Sequence, residues 1–167
     1  IELPHEILSS DSFMVSMWIY PTEEHSWRCA LYVKYETGFF GMIPIAWEGH
    51  SSFRIRDSKE VDGWYDISGC KLQVNEWSHY VVSYNAKTET AYAYINGQLV
   101  GSMKNVPGNR YAKRIVLGGD VFQPSFIGKI CEVTFYNEIR DHDFVSELHQ
   151  SYVTRDDFIG FEIGIDK

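Results

Sequence analysis

The sequence has few basic residues and no long apolar run, and each shortage argues against a class of protein. Fifteen lysines and arginines stand against 23 aspartates and glutamates, which gives a net charge of −8. Nucleic acids and anionic membranes bind clustered Lys and Arg that displace counterions from phosphates, so neither is expected as a partner. A membrane-spanning helix needs roughly 18 or more consecutive apolar residues. No such run occurs, and we expect no membrane insertion.

Cysteines and catalytic motifs are also scarce. The three cysteines, Cys29, Cys70 and Cys131, are odd in number and lack CxxC or Cys/His spacing. They support neither a zinc site nor a complete disulfide framework, and we interpret them as small buried side chains, with one bridge left open. No GxSxG, HExxH or phosphate-binding glycine loop is present. The chain opens at Ile1 without a basic and apolar leader, so we expect a domain cut from a larger multidomain chain.

What the sequence does have is a regular series of short strands. Aromatic residues make up 16% and hydrophobic residues 44% of the 167 residues, which is typical of one globular domain over residues 1–167. Turn signals separate the predicted strands. They are Phe13 to Tyr20, Arg28 to Tyr35, Gly41 to Trp47, Phe53 to Arg56, Trp64 to Ile67, Tyr92 to Ile95, Gln98 to Ser102, Arg114 to Gly118 and Ile127 to Asn137. The pattern predicts an all-β sandwich.

One short helix is predicted near the end of the chain. Asp141 is the expected N-cap, and the apolar residues that follow share one helical face. They are Phe144, Val145, Leu148 and Tyr152. We expect the helix to cover one edge or mouth of the sandwich. We interpret His142 and His149 as part of its charged, solvated face rather than as a catalytic pair, and His79 as a core histidine.

A hairpin between Trp77 and Val100 carries four tyrosines, Tyr80, Tyr84, Tyr92 and Tyr94. If residues 85–87 form its loop, Tyr80 opposes Tyr92, and all four tyrosines share one face. That face is either an outward aromatic surface or packs under a loop or the second sheet, and the sequence leaves both open. The next turn is clearer, because Asn96 and Gly97 tolerate the positive φ angles of a tight hairpin.

Several of these segments carry a family resemblance. NEWSHYVVSYNAKTETAYAYINGQLVGSM, RIVLGGD and FIGKICEVTFYNEIRDHDFVSELHQSY resemble the laminin G-like branch of the concanavalin A-like lectin/glucanase superfamily. The shared elements are a Trp-x-His strand, a Tyr-x-Asn-Gly hairpin, a Gly-x-Ile-x-Glu-Val strand and a closing helix. The resemblance implies a jelly-roll β-sandwich of two antiparallel sheets with one short C-terminal helix. This fold hosts lectins, carbohydrate-binding modules, adhesion domains and some enzymes.

The chain departs from the family pattern at Cys131, where many members have an acidic residue. Several members hold a structural calcium near that position, so the resemblance leaves calcium open. Calcium binds six or more oxygen ligands. By residue type alone, the candidate ligands are Glu2, Asp11, Asp120 and Glu132.

A second departure concerns catalysis. Glucanases of this superfamily carry a Glu-x-Asp-x-x-Glu strand, because retaining hydrolysis of glycosides needs two carboxylates about 5 to 5.5 Å apart. The nearest segment is EVDGWYD, Glu60 to Asp66, in which Tyr65 stands where the second glutamate belongs. We interpret this segment as a solvated acidic loop, and we predict no catalytic residue and no enzyme activity.

The remaining signal is chemistry suited to recognition. A sugar presents apolar C–H patches and hydroxyls, so a binder needs an aromatic platform and a few planar polar groups. The densest cluster of such residues contains Trp47, Glu48, His50, Arg54, Arg56, Asp57, Asp62, Trp64, Tyr65 and Asp66. Because alternate residues of a strand share a face, Arg54 and Arg56 point outward if Phe53 and Ile55 point to the core. The alternative is that both arginines pair with Asp57, Glu60 or Asp62 as ordinary surface charge.

These observations predict a non-catalytic carbohydrate-binding module. Its partner would be a polysaccharide or another glycan, and its parent an extracellular glycoside hydrolase or a cell-surface protein. We expect three aromatic side chains to stack on the sugar and three polar ones to bind its hydroxyls. The stacking residues are Trp47, Trp64 and Tyr65, and the polar residues are Arg54, Arg56 and Asp57. A second candidate loop contains Asp120, Phe122 and Gln123. The alternative is a laminin G-like protein-interaction or adhesion domain, and a third interpretation is a glucan hydrolase.

Overall fold

The computed structural model describes residues 1–108 and 111–155, which form two antiparallel β-sheets and one α-helix. The strands are β1 (Glu2–Leu3), β2 (Phe13–Pro21), β3 (Leu31–Tyr35), β4 (Gly38–Ile43), β5 (His50–Asp57), β6 (Trp64–Lys71), β7 (Ser78–Asn85), β8 (Thr90–Ile95), β9 (Gln98–Met103), β10 (Arg114–Leu117) and β11 (Gly128–Tyr136). The helix is α1 (His142–Val153), and short 3-10 turns cover His5–Ile7 and Trp47–Gly49. The last part of the predicted domain, residues 156–167, lies outside the described residues.

Six strands form one sheet in the order β1-β10-β3-β4-β5-β6, and five form the other in the order β11-β2-β7-β8-β9. The inner faces of both sheets contribute to one apolar core, in which Phe13 of β2 stacks on Phe40 of β4 with ring centroids 4.9 Å apart. Every predicted strand corresponds to an observed one, although its ends shift. The predicted Gly41 to Trp47 strand is β4, which ends at Ile43. Trp47 therefore lies in the turn that follows and is free to project away from the sheet.

The strand β2 is covered on both faces, and α1 covers one of them. Eight of its nine residues are buried, as expected for a strand that is covered on both faces. Phe13, Val15 and the residues that alternate with them face the core. Met14 and Trp18 point the other way, where the apolar face of α1 covers them.

α1 begins as predicted, because the Asp141 side chain accepts a hydrogen bond from the backbone N–H of Phe144 at 2.9 Å. Its position differs from the prediction. The helix packs on the outer face of the five-stranded sheet through Val145 and Tyr152, rather than over an edge or mouth. The prediction of a solvated histidine face is also wrong for His149, whose ring stacks on Trp18.

The register predicted for the tyrosine hairpin is wrong. Tyr80 opposes Ile95 rather than Tyr92, because the connection between β7 and β8 spans residues 86–89. A shift by an odd number of residues moves β8 to the opposite face relative to β7. Tyr80 and Tyr84 consequently enter the core between the sheets, while Tyr94 lies under α1. An outward surface of four tyrosines does not form.

The other hairpin prediction is confirmed. Asn96 and Gly97 have φ angles of 51° and 77°, as a tight turn between β8 and β9 requires. The Asn96 side chain also accepts a hydrogen bond from the backbone N–H of His79 at 2.8 Å, which ties this turn to β7. His79 itself is a core histidine, as predicted, and its Nε2 lies 2.7 Å from the hydroxyl oxygen of Ser16.

All three cysteines are free: Cys29 is buried, and Cys70 and Cys131 are half-buried. The bridge that the sequence left open is therefore not formed. Within residues 1–108 and 111–155, no helix has the length and apolar character needed to cross a bilayer.

Candidate functional site

A cleft of about 200 Å³ lies on the outer face of the six-stranded sheet. Strands β3 to β6 supply its floor and one wall through Tyr32, Phe39, Arg54 and Trp64. Two loops complete it. The connection from β2 to β3 brings Trp27 and Cys29, and the connection from β10 to β11 brings Asp120, Phe122 and Gln123.

Arg54 stands at the centre of this cleft because of the alternation along β5. Phe53 and Ile55 enter the core, so Arg54 points outward, as predicted from the sequence. Its neighbour on β4 is Gly41, which has no side chain to cover it. Any Cβ at Gly41 would lie 3.0 Å from the Cys29 sulfur, so this strand position keeps the floor of the cleft open.

On the other side of Arg54, β6 places Asp66 directly opposite. The guanidinium donates from Nε to Asp66 Oδ1 at 2.7 Å and from Nη2 to Oδ2 at 2.9 Å. The Ser52 hydroxyl donates a third hydrogen bond to Asp66 Oδ1 at 3.0 Å. The two side chains are only 21% and 17% exposed, so this forked ion pair is screened less than a surface pair. It holds the guanidinium plane in one orientation.

Three indole rings surround the same guanidinium. The Arg54 Cζ atom lies 4.5 Å from the ring centroid of Trp27, 4.8 Å from that of Trp64 and 5.0 Å from that of Trp47. Each distance is within the range of a cation–π contact. Trp27 and Trp47 also pack edge to face, with centroids 4.3 Å apart. Arg54 is therefore an oriented cation within an aromatic frame.

The backbone beneath two of these indoles is strained. Trp27 has a φ of 70°, and Glu48, next to Trp47, has a φ of 52°. Bulky L-residues rarely adopt this left-handed region, and such strain persists only where the surrounding structure imposes it. Here the backbone N–H of Trp27 donates to the Ile45 carbonyl at 2.8 Å, which fixes the Trp27 indole beside Trp47.

Asp120 shapes the opposite wall. Its Oδ1 accepts hydrogen bonds from the backbone N–H groups of Phe122 at 2.6 Å and Gln123 at 2.7 Å. This loop holds the Phe122 ring against Phe39 and Tyr32, with centroids 5.5 and 6.1 Å away. Burial, followed by the neighbouring Asp120 carboxylate, raises the pKa of the Cys29 thiol well above its ordinary value. The thiol therefore stays protonated at neutral pH.

The rim of the cleft exposes much aromatic surface. Trp47 and Trp64 are each 49% exposed and Phe122 is 66% exposed, although all three make ring contacts that fix their positions. Flat aromatic faces beside planar polar groups suit a ligand with alternating C–H patches and hydroxyls.

The cleft brings together most of the binding residues that were predicted from the sequence. Trp47, Arg54, Trp64 and Asp120 come together around it. Arg56 lies alongside, with its Cζ 4.9 Å from the Trp64 ring centroid. The alternative that Arg54 pairs with Asp57, Glu60 or Asp62 as surface charge is wrong, because its partner is Asp66.

Two nominated residues are not brought to the cleft. Asp57 shares the inward face of β5 with Ile55, is buried, and accepts a hydrogen bond from the backbone N–H of Lys59 at 2.9 Å. Tyr65 packs against the core side of the sheet, and its hydroxyl donates to Glu60 Oε2 at 3.1 Å. Both predictions fail for the same reason, since odd-numbered residues of β5 and β6 face away from Arg54 and Trp64.

Other cleft residues escape the sequence reasoning altogether. Trp27, Tyr32 and Phe39 are not near the Trp47 to Asp66 segment in sequence, and only the pairing of β3, β4 and β5 brings them to it. For Trp27 a signal exists, because a tryptophan between Ser26 and Arg28 lies in a polar connection where no strand requires an indole.

The acidic residues that might have held calcium do not assemble. Glu2 pairs with Arg114 at 3.1 Å, and Asp120 closes its own loop. Within the part of the chain that the structure describes, no group of three or more His, Cys, Asp or Glu side chains is placed to hold a metal ion. The side chains of the four candidate ligands therefore do not form one metal site.

Comparison with known proteins agrees with this architecture. A family model described as the concanavalin A-like lectin/glucanases superfamily matches residues 1–146. The chain is similar to domain 4 of AbnA, a GH43 extracellular arabinanase from Geobacillus stearothermophilus, solved in complex with arabinotriose. The identity is 25% and the TM-score 0.77, over 89% of this chain and 71% of that one.

Two further structures share the fold at lower identity. One is a heptameric SAP-like pentraxin from Limulus polyphemus, with 15% identity and a TM-score of 0.68 over 89% of this chain and 72% of that one. The other is the CBM40 of the Ruminococcus gnavus IT-sialidase bound to alpha2,3 sialyllactose, with 14% identity and a TM-score of 0.70 over 86% and 85%. No curated protein matches the sequence. The predicted jelly-roll sandwich is confirmed.

Proposed function

Because the chain belongs to the concanavalin A-like lectin/glucanases superfamily, we propose that it is a carbohydrate-binding module whose site is the cleft around Arg54. The observation that carries the proposal is the combination of a fixed guanidinium with exposed indoles. Asp66 engages Nε and Nη2 of Arg54, which leaves the Nη1 N–H groups to donate to sugar hydroxyls. Trp47 and Trp64 offer flat faces for the C–H patches of the ring.

The size of the cleft suggests how strongly it binds. At about 200 Å³ it is smaller than the roughly 300 to 1,000 Å³ typical of sites that enclose a drug-sized ligand. A sugar bound there buries only part of its surface, so the association entropy offsets much of the contact energy. We therefore expect a weak single-site affinity, which is suited to repeated capture of a polymeric glycan.

We further propose that the module is an accessory domain of an extracellular glycoside hydrolase or a surface protein. Its similarity to a domain of an extracellular arabinanase that was solved with arabinotriose supports this context. In this role the partner is a polysaccharide, and the module keeps its parent protein near the substrate.

We also propose that the domain is not itself catalytic. Retaining hydrolysis needs one carboxylate as nucleophile and a second as acid. The carboxylate beside Arg54 and the carboxylate that lines the cleft have other partners: both oxygens of Asp66 bind Arg54, and Asp120 Oδ1 binds two backbone N–H groups. An assay for release of reducing ends from any polysaccharide that binds tests this point, and release by the purified domain would refute it.

The first test is isothermal titration of the purified domain with a panel of trisaccharides, including arabinotriose, xylotriose, cellotriose and sialyllactose. Trp64→Ala should abolish binding to any sugar that the wild-type protein binds, because it removes one of the two exposed indoles beside Arg54. Tyr111→Ala is the control, since Tyr111 is also an exposed aromatic residue, at 64% against 49% for Trp64, but does not line the cleft. Both variants should keep the wild-type circular dichroism spectrum.

Two results would contradict the proposal. Unchanged affinity in Trp64→Ala would remove this cleft from consideration. Failure of every soluble and insoluble glycan to bind would favour the alternative of a protein-interaction domain. In that case the partner surface would not be the four tyrosines, since Tyr80, Tyr84 and Tyr94 are buried.

A further inference from the structure

A second cleft, of about 150 Å³, lies next to the first. Its apolar lining comes from Ile45 and Leu72. Its polar lining is larger and comes from Glu24, Ser26, Glu48 and Lys71. The second cleft therefore differs from the aromatic first cleft: it offers carboxylates, a hydroxyl and an ammonium group beside a small apolar area.

The Trp27 and Trp47 pair forms the boundary between the two clefts. Trp27 lines the first cleft, and its chain neighbour Ser26 lines the second. Trp47 contacts Arg54 in the first cleft, and its chain neighbour Glu48 lines the second. The edge-to-face pair of indoles is therefore a ridge between the aromatic first cleft and the polar second cleft.

On the second side, the Lys71 side chain runs past Gly49. Gly49 has a φ of 82° and no side chain, and a Cβ there would lie 2.9 Å from Lys71 Cε. The absence of that Cβ lets the Lys71 stem lie against the backbone that follows Trp47 and brings its ammonium group to the cleft. With Glu24 and Glu48 nearby, the cleft carries charges of both signs, which suits the hydroxyls of a neutral sugar better than an ionic ligand.

We propose that the two clefts are subsites for one glycan chain that passes over the Trp27 and Trp47 ridge. The domain then binds the interior of a neutral polysaccharide rather than its end. The inference rests on the proposed function of the first cleft and adds to it a direction and a minimum length of ligand. Sugar units in the second cleft hydrogen-bond to Lys71 and Glu48, while the exposed face of Trp47 supports the unit between.

The test is the dependence of affinity on chain length. Calorimetric titration uses linear oligosaccharides, from the disaccharide to the hexasaccharide, of the sugar that binds in the trisaccharide panel, with arabino-oligosaccharides first. Lys71→Met keeps the length of the side chain but removes its three donors. Lys87→Met, in the exposed loop between β7 and β8, is the matched control.

The wild-type affinity should rise about tenfold between the shortest ligand that binds and the hexasaccharide, roughly the effect of two neutral hydrogen bonds. Lys71→Met should remove most of this gain without changing the affinity for the short ligand, and Lys87→Met should behave as wild type. Equal affinities for short and long ligands, or a gain that survives in Lys71→Met, would overturn the two-subsite proposal and leave the first cleft intact. Absence of binding at every length would overturn both.

Discussion

We predict that His79 makes the stability of this fold sensitive to acid, a role that its position in the sequence does not indicate. It is 0% exposed, and its ring packs against those of both Trp18 and His149, with centroids 5.2 and 5.6 Å away. Burial, followed by the charge that His149 can carry, lowers the pKa of His79 from 6.5 to about 3. The folded protein thus keeps this imidazole neutral at a pH where the unfolded chain protonates it.

The sign and size of the effect follow from this difference. The contribution of His79 is fully present above about pH 6.5 and is lost as the pH falls toward 3, because the unfolded state binds the additional proton in this window. The loss is about 1.4 kcal/mol per pH unit, or roughly 2 kcal/mol of unfolding free energy at about pH 5. Burial also lowers the pKa of His149, which adds to the effect in the same direction.

The assay is guanidinium unfolding at neutral pH and at about pH 5, on wild type and on His79→Gln. Glutamine keeps a hydrogen-bonding group near Ser16 but does not titrate. The variant should be less stable at neutral pH, because it loses the contacts with Trp18 and His149, but its stability should fall by roughly 2 kcal/mol less on acidification. His50→Gln, at an exposed position, should retain the wild-type pH dependence. The same acid sensitivity in wild type and His79→Gln would refute this account.

Three other predictions concern the cleft, the core and metals. Arg54→Lys should weaken glycan binding by about tenfold in calorimetric titration, because an ammonium group cannot engage both oxygens of Asp66. Arg140→Lys, the control, should have no effect. Wild-type affinity in Arg54→Lys would rule out a role for the guanidinium fork. Phe53→Ala should lower the free energy of unfolding by about 3 to 5 kcal/mol in guanidinium, while Leu99→Ala at an exposed site should change it by less than about 0.5 kcal/mol. A chelator should change neither the melting temperature nor glycan affinity, because the described acidic side chains form no metal-binding group; a melting temperature that falls in chelator and recovers with calcium would contradict this.

Local features of the fold are predictable from the sequence because they depend on neighbouring residues. Asp141 caps α1 and Asn96 forms the tight turn, since both act within a few residues of their own position. The outward direction of Arg54 is predictable for the same reason, because adjacent strand residues face opposite ways.

The tyrosine hairpin shows where local reasoning stops. Its strands are correctly predicted, but the register depends on one loop, and Glu89 adopts a φ of 48° to lengthen it. The strand propensities of these residues do not distinguish the predicted register from the observed one, since both strands carry aromatic and small residues in either register. Packing decides the register, because Tyr80 and Tyr84 fill the core and α1 packs over Tyr94.

The candidate site divides in the same way. The sequence alone determined the residue types and placed Arg54 and Arg56 on an outward face, because a strand alternates with a period that short segments reveal. Only the tertiary structure paired Arg54 with Asp66 and brought Trp27 and Asp120 to them, and it turned Asp57 and Tyr65 away. The physical reason is that cross-strand neighbours and loop contacts join residues far apart in the chain, and those pairings depend on the packing of both sheets together.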